Sequence, residues 1–322
     1  MTWIVWRQQR PVFITLVAGL VVSVAAVLLL RAGMVADLQA GDLAGCLPFG
    51  SECGIRAADG FQDTWFDRLR LAQGTVLAAP VLIGVFIGAP LFAREFEQGT
   101  HALAFTQSVG RTRWTVTKFL VAGLPALVVV GVYQLVVHSW LEAAGELGPL
   151  SASTFYFTSF DAQGVSPLAY TLFAYTLGMA AGALFKRTLV AMTVTLGLFI
   201  AARVLIGDVR ESLVTPTRLI TNDLDVNAVV PGRPLVVDAG FLDSGGAVVA
   251  DPTPMMNCTD RADAQGGVDW SACFRENGLA QRYADIVPAG QATTLHLLEG
   301  SIFAGLAVLF VLGSTWAVRR QV

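Results

Sequence analysis

The chain has 322 residues, of which 54% are hydrophobic and only 14% are charged, and its formal net charge is −3. A soluble domain carries nearer a quarter charged residues, so this composition excludes an ordinary water-soluble enzyme. We expect membrane lipid around most of the chain and no nucleic-acid partner.

Six apolar runs have the roughly 20 residues of helix that are needed to cross the hydrocarbon of a bilayer. These runs are 11–30, 71–92, 119–140, 167–185, 189–207 and 295–318. The sequence therefore predicts an all-α polytopic membrane protein with six transmembrane helices, numbered here as the first to sixth spans. The first run is too long for the core of a cleaved signal peptide, so we expect it to remain as an anchor.

Basic residues predict the orientation of the spans. One set of connections holds ten Lys or Arg against two acids, whereas the connections 31–70 and 141–166 hold four against nine. Because basic connections stay in the cytosol, both termini are predicted to be cytosolic. The basic set comprises segments 1–10, 93–118, 186–188 and 319–322.

Small residues and prolines predict how the spans pack. Gly84 and Gly88 form a GxxxG motif in the second span, and Gly178 and Gly182 form another in the fourth. Such spacing lets helix backbones approach closely, either within one chain or between two copies. Three prolines are expected to kink the second and third spans: Pro80, Pro90 and Pro125.

The connection between the second and third spans, residues 93–118, is a basic, polar segment between two apolar runs of 22 residues each. It contains two carboxylates, then a Gly-Thr break and a short stretch fit for a helix. We therefore expect this surface to contact a partner in the cytosol. The basic residues expected to anchor it at the cytosolic membrane surface are Arg94, Arg111, Arg113 and Lys118.

The longest connection, 208–293, is predicted to form an extracellular module between the membrane domain (1–207) and a final segment (294–322) that holds the sixth span and a cytosolic tail. Val-rich runs within 235–251 flank a turn, which suggests a hairpin. Its aspartates lack the regular spacing of a calcium-binding loop. A solvated lid pinned by a disulfide is the better interpretation.

All four cysteines lie in connections that are predicted to be outside, where thiols can oxidise. They are Cys46, Cys53, Cys258 and Cys273. Two local bridges, Cys46–Cys53 and Cys258–Cys273, are the simplest of the three possible pairings. A metal site is not favoured, because the sequence has no Cys-x-x-Cys motif and no histidine near any of the four.

No catalytic motif of a membrane enzyme is present, and no Gly-Lys of a phosphate-binding P-loop occurs. If ATP drives this protein, another chain must bind it. Arg203, Glu299 and His138 lie toward the predicted outer ends of their spans, and we interpret them as residues that snorkel to the interface. With no carboxylate deep in a span, a proton-coupled carrier is not favoured.

The chain resembles the permeases of type-2 ABC exporters, and it looks most like those of actinobacteria. The resemblance covers the membrane domain, and the connection 208–293 is its least similar part. The residues that carry it are Arg94-Glu95-Phe96-Glu97-Gln98-Gly99-Thr100, Thr106-Gln107-Ser108, Arg111-Thr112-Arg113-Trp114, Lys118, the stretch 297–303 (LLEGSIF) and Arg319-Arg320.

In that family, the connection between the second and third spans holds a coupling helix that docks on a separate ATP-binding subunit. Carried over to this sequence, the helix spans about Gly99 to Gln107, and Glu97 is the acidic residue just before it. Thr100 is suited to cap the helix, and Leu103 and Phe105 offer apolar contacts to the partner.

The resemblance also implies the assembly and the location. Two permeases, identical or related, work with two ATPases that bind ATP and Mg, in the plasma membrane of a bacterium. This chain itself would hold no cofactor and would not be an enzyme.

Two other classes of protein stay possible. A non-transporting sensor with an external domain, or an immunity-type scaffold, would have the same spans without a stoichiometric ATPase partner. A channel or a secondary carrier would work without nucleotide, and the lack of deep carboxylates makes this class the least favoured.

Overall fold

The computed structural model describes residues 2–43, 55–99, 110–149, 155, 157–224, 234–251, 253–265 and 269–320. The described residues form two compact units. The membrane unit lies within Met1–Ala152, Tyr156–Val209 and Thr293–Val322, and the second unit lies within Ser153–Phe155 and Arg210–Ala292.

Regular structure in the described residues is mainly helical. The α-helices are α1 (Thr2–Ala40), α2 (Ile55–Ile83), α3 (Ala89–Glu97), α4 (Arg111–Ala143), α5 (Phe157–Asp161), α6 (Ser166–Phe185), α7 (Thr188–Val209), α8 (Thr253–Gln265), α9 (Trp270–Glu276) and α10 (Ala292–Arg319). A π-helical segment, Gly84–Gly88, joins α2 to α3. The β-strands are β1 (Thr217–Thr221), β2 (Leu235–Leu242) and β3 (Gln281–Val287).

In the part of the chain that the structure describes, six helical stretches are long and apolar enough to cross a membrane, in agreement with the six predicted spans. They are Gln9–Ala40, Ala58–Glu97, Arg111–Ala143, Ser166–Phe185, Thr188–Val209 and Ala289–Arg319. Several helices extend well beyond their apolar runs into polar sequence. For example, α1 begins at Thr2 and α2 at Ile55, ahead of the runs that begin at residues 11 and 71. The chain is thus a multi-pass helical membrane protein.

The fourth span is the centre of the membrane unit. Of its most apolar stretch, 72% is buried, compared with 6% for the first span and 17% for the fifth. It packs against the second, third and fifth spans. The least buried spans therefore present most of their surface to the surroundings of the unit.

The two GxxxG motifs pack against each other within this chain. A Cβ atom at Gly84 would lie 2.6 Å from the carbonyl oxygen of Ala174, and one at Gly88 would lie 2.5 Å from that of Tyr175. A Cβ at Gly178 would in turn clash with the carbonyl oxygen of Gly84. The close packing that the motifs predict is present, between the second and fourth spans.

The π-helical segment in the second span has a local cause in Pro90. Proline has no N–H to donate, and its ring clashes with the carbonyl four residues earlier, so the preceding turn widens. The N–H of Ala89 accordingly bonds to the carbonyl of Gly84, five residues back. Pro80 and Pro125 lie inside the continuous helices α2 and α4.

The second unit contains a three-stranded antiparallel sheet in the order β1-β3-β2, with a register shift between Val236 and Asp238. The prediction of an all-α protein is therefore wrong for this part of the chain. The predicted hairpin is present as a turn closed by a single bridge between Leu242 and Val248. The ladder partner of β2 is instead β3, which lies far along the chain.

A disulfide joins Cys258 of α8 to Cys273 of α9. Both sulfurs belong to a small core that also contains Leu224, Phe274 and Leu279. Cys46 and Cys53 lie outside the described residues.

The side chain of Asp251 accepts hydrogen bonds from the hydroxyl and N–H of Thr253 at the start of α8, and these bonds lower the pKa of that carboxyl.

Candidate functional site

The candidate site is the connection between the second and third spans, and the structure describes its two flanks, 94–99 and 110–118. Helix α3 ends at Glu97, and Gly99 follows with φ +70°, a conformation that favours glycine. The chain thus leaves the helix at the predicted break. Four residues predicted to dock a partner lie outside the described residues: Thr100, Leu103, Phe105 and Gln107.

Lys118 is buried, with 1% of its side chain exposed, and its Nζ lies 2.5 Å from Oε1 of Glu95. The ammonium also donates a hydrogen bond to the carbonyl of Leu91 at 3.3 Å. The prediction that Lys118 anchors the connection at the membrane surface is therefore wrong. The residue lies one turn after Trp114, on the face of the third span that packs against the second.

Aromatic side chains surround this ion pair. The rings of Phe92 and Phe96 pack on Trp114 with centroid distances of 5.1 and 6.5 Å. The ammonium of Lys118 lies 4.3 Å from the centre of the Trp114 ring. This cation–π contact lies within the third span, since both residues belong to α4. The packing of Phe92 and Phe96 on Trp114, together with the ion pair between Glu95 and Lys118, holds the second and third spans together where the connection begins and ends.

Glu97, predicted to precede the docking helix, binds the start of the fifth span. Its Oε2 accepts hydrogen bonds from the Thr188 hydroxyl at 2.7 Å and from the Thr188 N–H at 3.2 Å. Thr188 is the first residue of α7. At a helix N-terminus, unpaired N–H groups and the helix dipole favour a negative charge, so the carboxylate holds this flank against the fifth span.

Arg111 and Arg319 join the third and sixth spans. The guanidinium of Arg111 donates to the Arg319 carbonyl at 2.6 Å, and that of Arg319 donates to the Thr112 hydroxyl at 2.8 Å. We refer to these bonds, together with Glu95–Lys118 and Glu97–Thr188, as the flank contacts. The other two predicted anchors, Arg94 and Arg113, have exposed side chains.

A cavity of about 410 Å³ lies beside the flank contacts, between the start of the first span and the end of the second. Phe86 and Leu91 contribute apolar walls, and Arg94 and Gln98 contribute polar ones. Glu95 also lines the cavity, so its walls combine apolar side chains with polar and charged ones of both signs.

At the other end of the fifth span, Arg203 forms a buried charged cluster. Its guanidinium donates to Oε1 of Glu299 at 2.9 Å and to Oδ2 of Asp161. The Tyr170 hydroxyl donates to Oε1 of Glu299 at 2.7 Å, and its ring lies 3.8 Å from the Arg203 guanidinium carbon. We call these four residues the Arg203 cluster.

The Arg203 cluster overturns the interpretation of Arg203 and Glu299 as snorkelling residues. The two side chains pair with each other inside the protein, and the carboxylates of Glu299 and Asp161 are 0% exposed. Glu299 is thus a carboxylate buried within the protein near the start of the sixth span.

His296 joins the same elements beside the cluster. Its ring stacks on Phe160 of α5 with a centroid distance of 3.8 Å, and its Nδ1 lies 2.7 Å from the hydroxyl of Ser166. His138, by contrast, pairs with Glu142 on the same helix at 3.1 Å.

Sequence reasoning missed Thr188, Asp161 and Tyr170. A signal for Thr188 existed, because a threonine just before an apolar run is typical of a helix start. Asp161 and Tyr170 had no such signal, since only the folded chain brings them to Arg203. Among the residues that the structure describes, no group of three His, Cys, Asp or Glu side chains is placed to hold a metal ion.

The helices and their contacts define a multi-pass helical membrane protein with a polar site at one end. Residues 17–210 match the family described as ABC-2 membrane transporter related. Since the match covers well over half of the chain, the protein belongs to this family. Such membrane components work in general with an ABC ATP-binding partner. No curated protein and no solved structure matches the chain.

Proposed function

We propose that the chain is the permease subunit of an ATP-driven exporter and that residues 93–118 dock a separate ATP-binding subunit. The flank contacts are the observation that carries this proposal. A docking segment can move spans only if it is fixed to them. Here polar contacts join both flanks of the connection to the third, fifth and sixth spans.

The ATP-binding subunit supplies the chemical step in this proposal. It binds ATP and Mg, and its closure moves the docking segment and, through the flank contacts, the spans. This chain contributes the translocation path and no catalytic residue. Its sequence supports this division, because it contains no Gly-Lys of a P-loop.

The proposed orientation places the docking connection and both termini in the cytosol of a bacterium, with the chain in the plasma membrane. The charge bias of the connections supports it. The contact between Arg319 and Thr112 places the end of the sixth span beside the start of the third, and the sequence is basic at both positions.

A second permease, identical or related, completes the path between two halves. The first and fifth spans have the least buried surfaces, so they offer the area that such a partner or lipid would cover.

Affinity purification of the full chain, expressed with its native neighbours in mild detergent, tests the docking function. We expect a stoichiometric soluble protein with a P-loop to co-purify, and L103A/F105A to release it. The matched control is L120A/L124A, which removes two exposed apolar side chains of the third span (52% and 60% exposed) and should retain the partner. Purification of the wild-type chain without any ATPase would favour the sensor or scaffold class.

A further inference from the structure

The fifth span is held by polar contacts near both of its ends. Thr188, its first residue, donates two hydrogen bonds to Glu97 beside the docking connection. Arg203, 15 residues later, contacts Glu299 of the sixth span and Asp161 of α5. At 1.5 Å of rise per residue the two contacts are about 22 Å apart along one helix.

Between these contacts the helix is continuous and lightly packed. Its buried residues are Ala191, Thr195 and Phe199, which recur every four residues and form one narrow stripe. No proline interrupts α7. Only 17% of its most apolar stretch is buried, whereas 72% of the fourth span is.

Light packing decides how such a helix responds to a displacement. A helix whose sides interlock with a close-packed core shifts only if that core shifts. A continuous helix with a single buried stripe slides or tilts as one body, as packed helices do in shear motions. Besides this stripe, the polar contacts near its two ends join α7 to the docking connection, α5 and the sixth span.

We propose that the fifth span mechanically couples the docking connection to the Arg203 cluster. Glu97 and Thr188 are the positioning residues that receive the displacement, and Arg203 delivers it to α5 and the sixth span. The contact at Glu97 is suited to this role because a carboxylate bonded to a helix N-terminus is charge-assisted and directional. The coupling rests on the proposed function only for the source of the displacement, a docked ATP-binding subunit.

Hydrogen–deuterium exchange of the full chain in lipid nanodiscs tests the coupling without any partner. T188V keeps the size of the side chain and removes its hydrogen bond to Glu97. We expect exchange to rise roughly fivefold at residues 94–99, as for the loss of one hydrogen bond. Coupling further requires a rise of about two- to threefold at residues 157–165, which hold Asp161 at the other end.

Two matched variants control for a general loosening of the helix. T193V removes a hydroxyl from the same helix that bonds only to Leu189 of its own helix, and it should leave both segments unchanged. T188S keeps the hydroxyl and should restore the wild-type exchange. A rise confined to residues 94–99, or the same distant rise with T193V, would overturn the coupling.

ATP hydrolysis by the co-purified complex gives a second, independent readout. If Glu97 and the Arg203 cluster act through one helix, E97A combined with D161N/E299Q/R203M, which removes the charges of the cluster together, should lower the partner-stimulated rate no further than the stronger of the two does alone. Multiplied effects would show independent roles and overturn the coupling. If no ATPase co-purifies with the wild-type chain, the docking function fails, and the exchange experiment still decides the coupling.

Discussion

The membrane unit and the second unit both contain a guanidinium paired with carboxylate, but with different burial. In the membrane unit the Arg203 side chain is 13% exposed and its two carboxylates are 0% exposed. In the second unit Arg218 pairs with Asp285 at 2.6 Å, and the side chains are 45% and 17% exposed. Breaking a buried pair is costly, whereas an exposed pair contributes little. The burial of an ion pair, and not the number of ion pairs, therefore decides how much such pairs stabilise each unit.

The second unit depends instead on a covalent constraint and a small core. Its disulfide closes a loop of 15 residues between Cys258 and Cys273. In the chain-entropy treatment such a closure stabilises by about 3 kcal/mol. Among the described residues, the membrane unit has buried charges and close backbone packing, and the second unit has a covalent cross-link.

The largest effect is expected for Arg203→Met, because this change leaves the buried carboxylates of Asp161 and Glu299 without the guanidinium. Removing one member of a buried charged group costs about 3–5 kcal/mol. We expect a loss of that size in the free energy of unfolding, followed by tryptophan fluorescence in detergent. If size-exclusion chromatography shows that the variant does not assemble, the loss in the free energy of unfolding is at least as large as expected.

The triple variant D161N/E299Q/R203M tests whether the loss of stability in R203M comes from uncompensated charge or from packing. Neutral amides of similar shape remove the buried charges together, and a buried neutral polar group without its partner costs about 1–3 kcal/mol, less than an uncompensated buried charge. We expect part of the loss caused by R203M to be recovered. A triple variant as unstable as R203M would show that the cluster acts through packing and not through charge.

An effect of intermediate size is expected at Glu95 and Lys118. E95Q leaves the ammonium of Lys118, which is 1% exposed, without its carboxylate, and should cost about 3 kcal/mol. K118M should cost less, about 1–2 kcal/mol, since Glu95 is 16% exposed and can reach water. Thermal unfolding of the two single variants measures the difference, and equal costs would contradict the asymmetry of burial.

Hydropathy predicted the spans because an apolar run is a local property of the sequence. Its length decides directly whether a helix can cross the hydrocarbon of a bilayer. The Gly84 and Gly178 motifs likewise predicted close packing, although not which helix each would meet. The polar contacts between the spans could not be predicted in this way. Glu299 lies 96 positions after Arg203 and 91 positions separate Glu97 from Thr188, so only the folded chain brings the partners together.

Lys118 shows why local reasoning also gave a wrong answer. A lysine at the basic end of a span is typical of a membrane-surface anchor. The fold instead places it one turn after Trp114, against Glu95 of the second span. In the second unit, β2 was expected to pair with its neighbour in sequence, and it pairs with β3 after two intervening helices.

A smaller effect is expected where backbones, and not charges, hold the spans together. Gly178→Ala places a Cβ against the carbonyl oxygen of Gly84, and overpacking of this kind costs about 1–3 kcal/mol. The matched control is Gly197→Ala in the fifth span, where a Cβ meets nothing within 4 Å. Thermal unfolding should show a loss for the first and no loss, or a slight gain, for the second. Equal losses would mean that the contact between the motifs is not close.

The smallest effect is expected at Arg218 and Asp285, where the pair is exposed. Hydrogen bonds from Arg218 hold the pKa of the Asp285 carboxyl below its usual value. A carboxyl with a lowered pKa adds stability that is fully present above its unfolded pKa of about 3.9 and is lost as the pH falls through the folded pKa. Hydrogen exchange of β3, corrected for the intrinsic effect of pH, should therefore be slightly faster in R218Q than in the wild type at pH 6. The difference should shrink as the pH falls below about 4 and then through the lowered pKa of the folded Asp285 carboxyl. A difference that stays constant down to pH 2.5 would mean that Arg218 supports β3 through its stacking on Tyr283, at 4.4 Å, and not through the carboxylate.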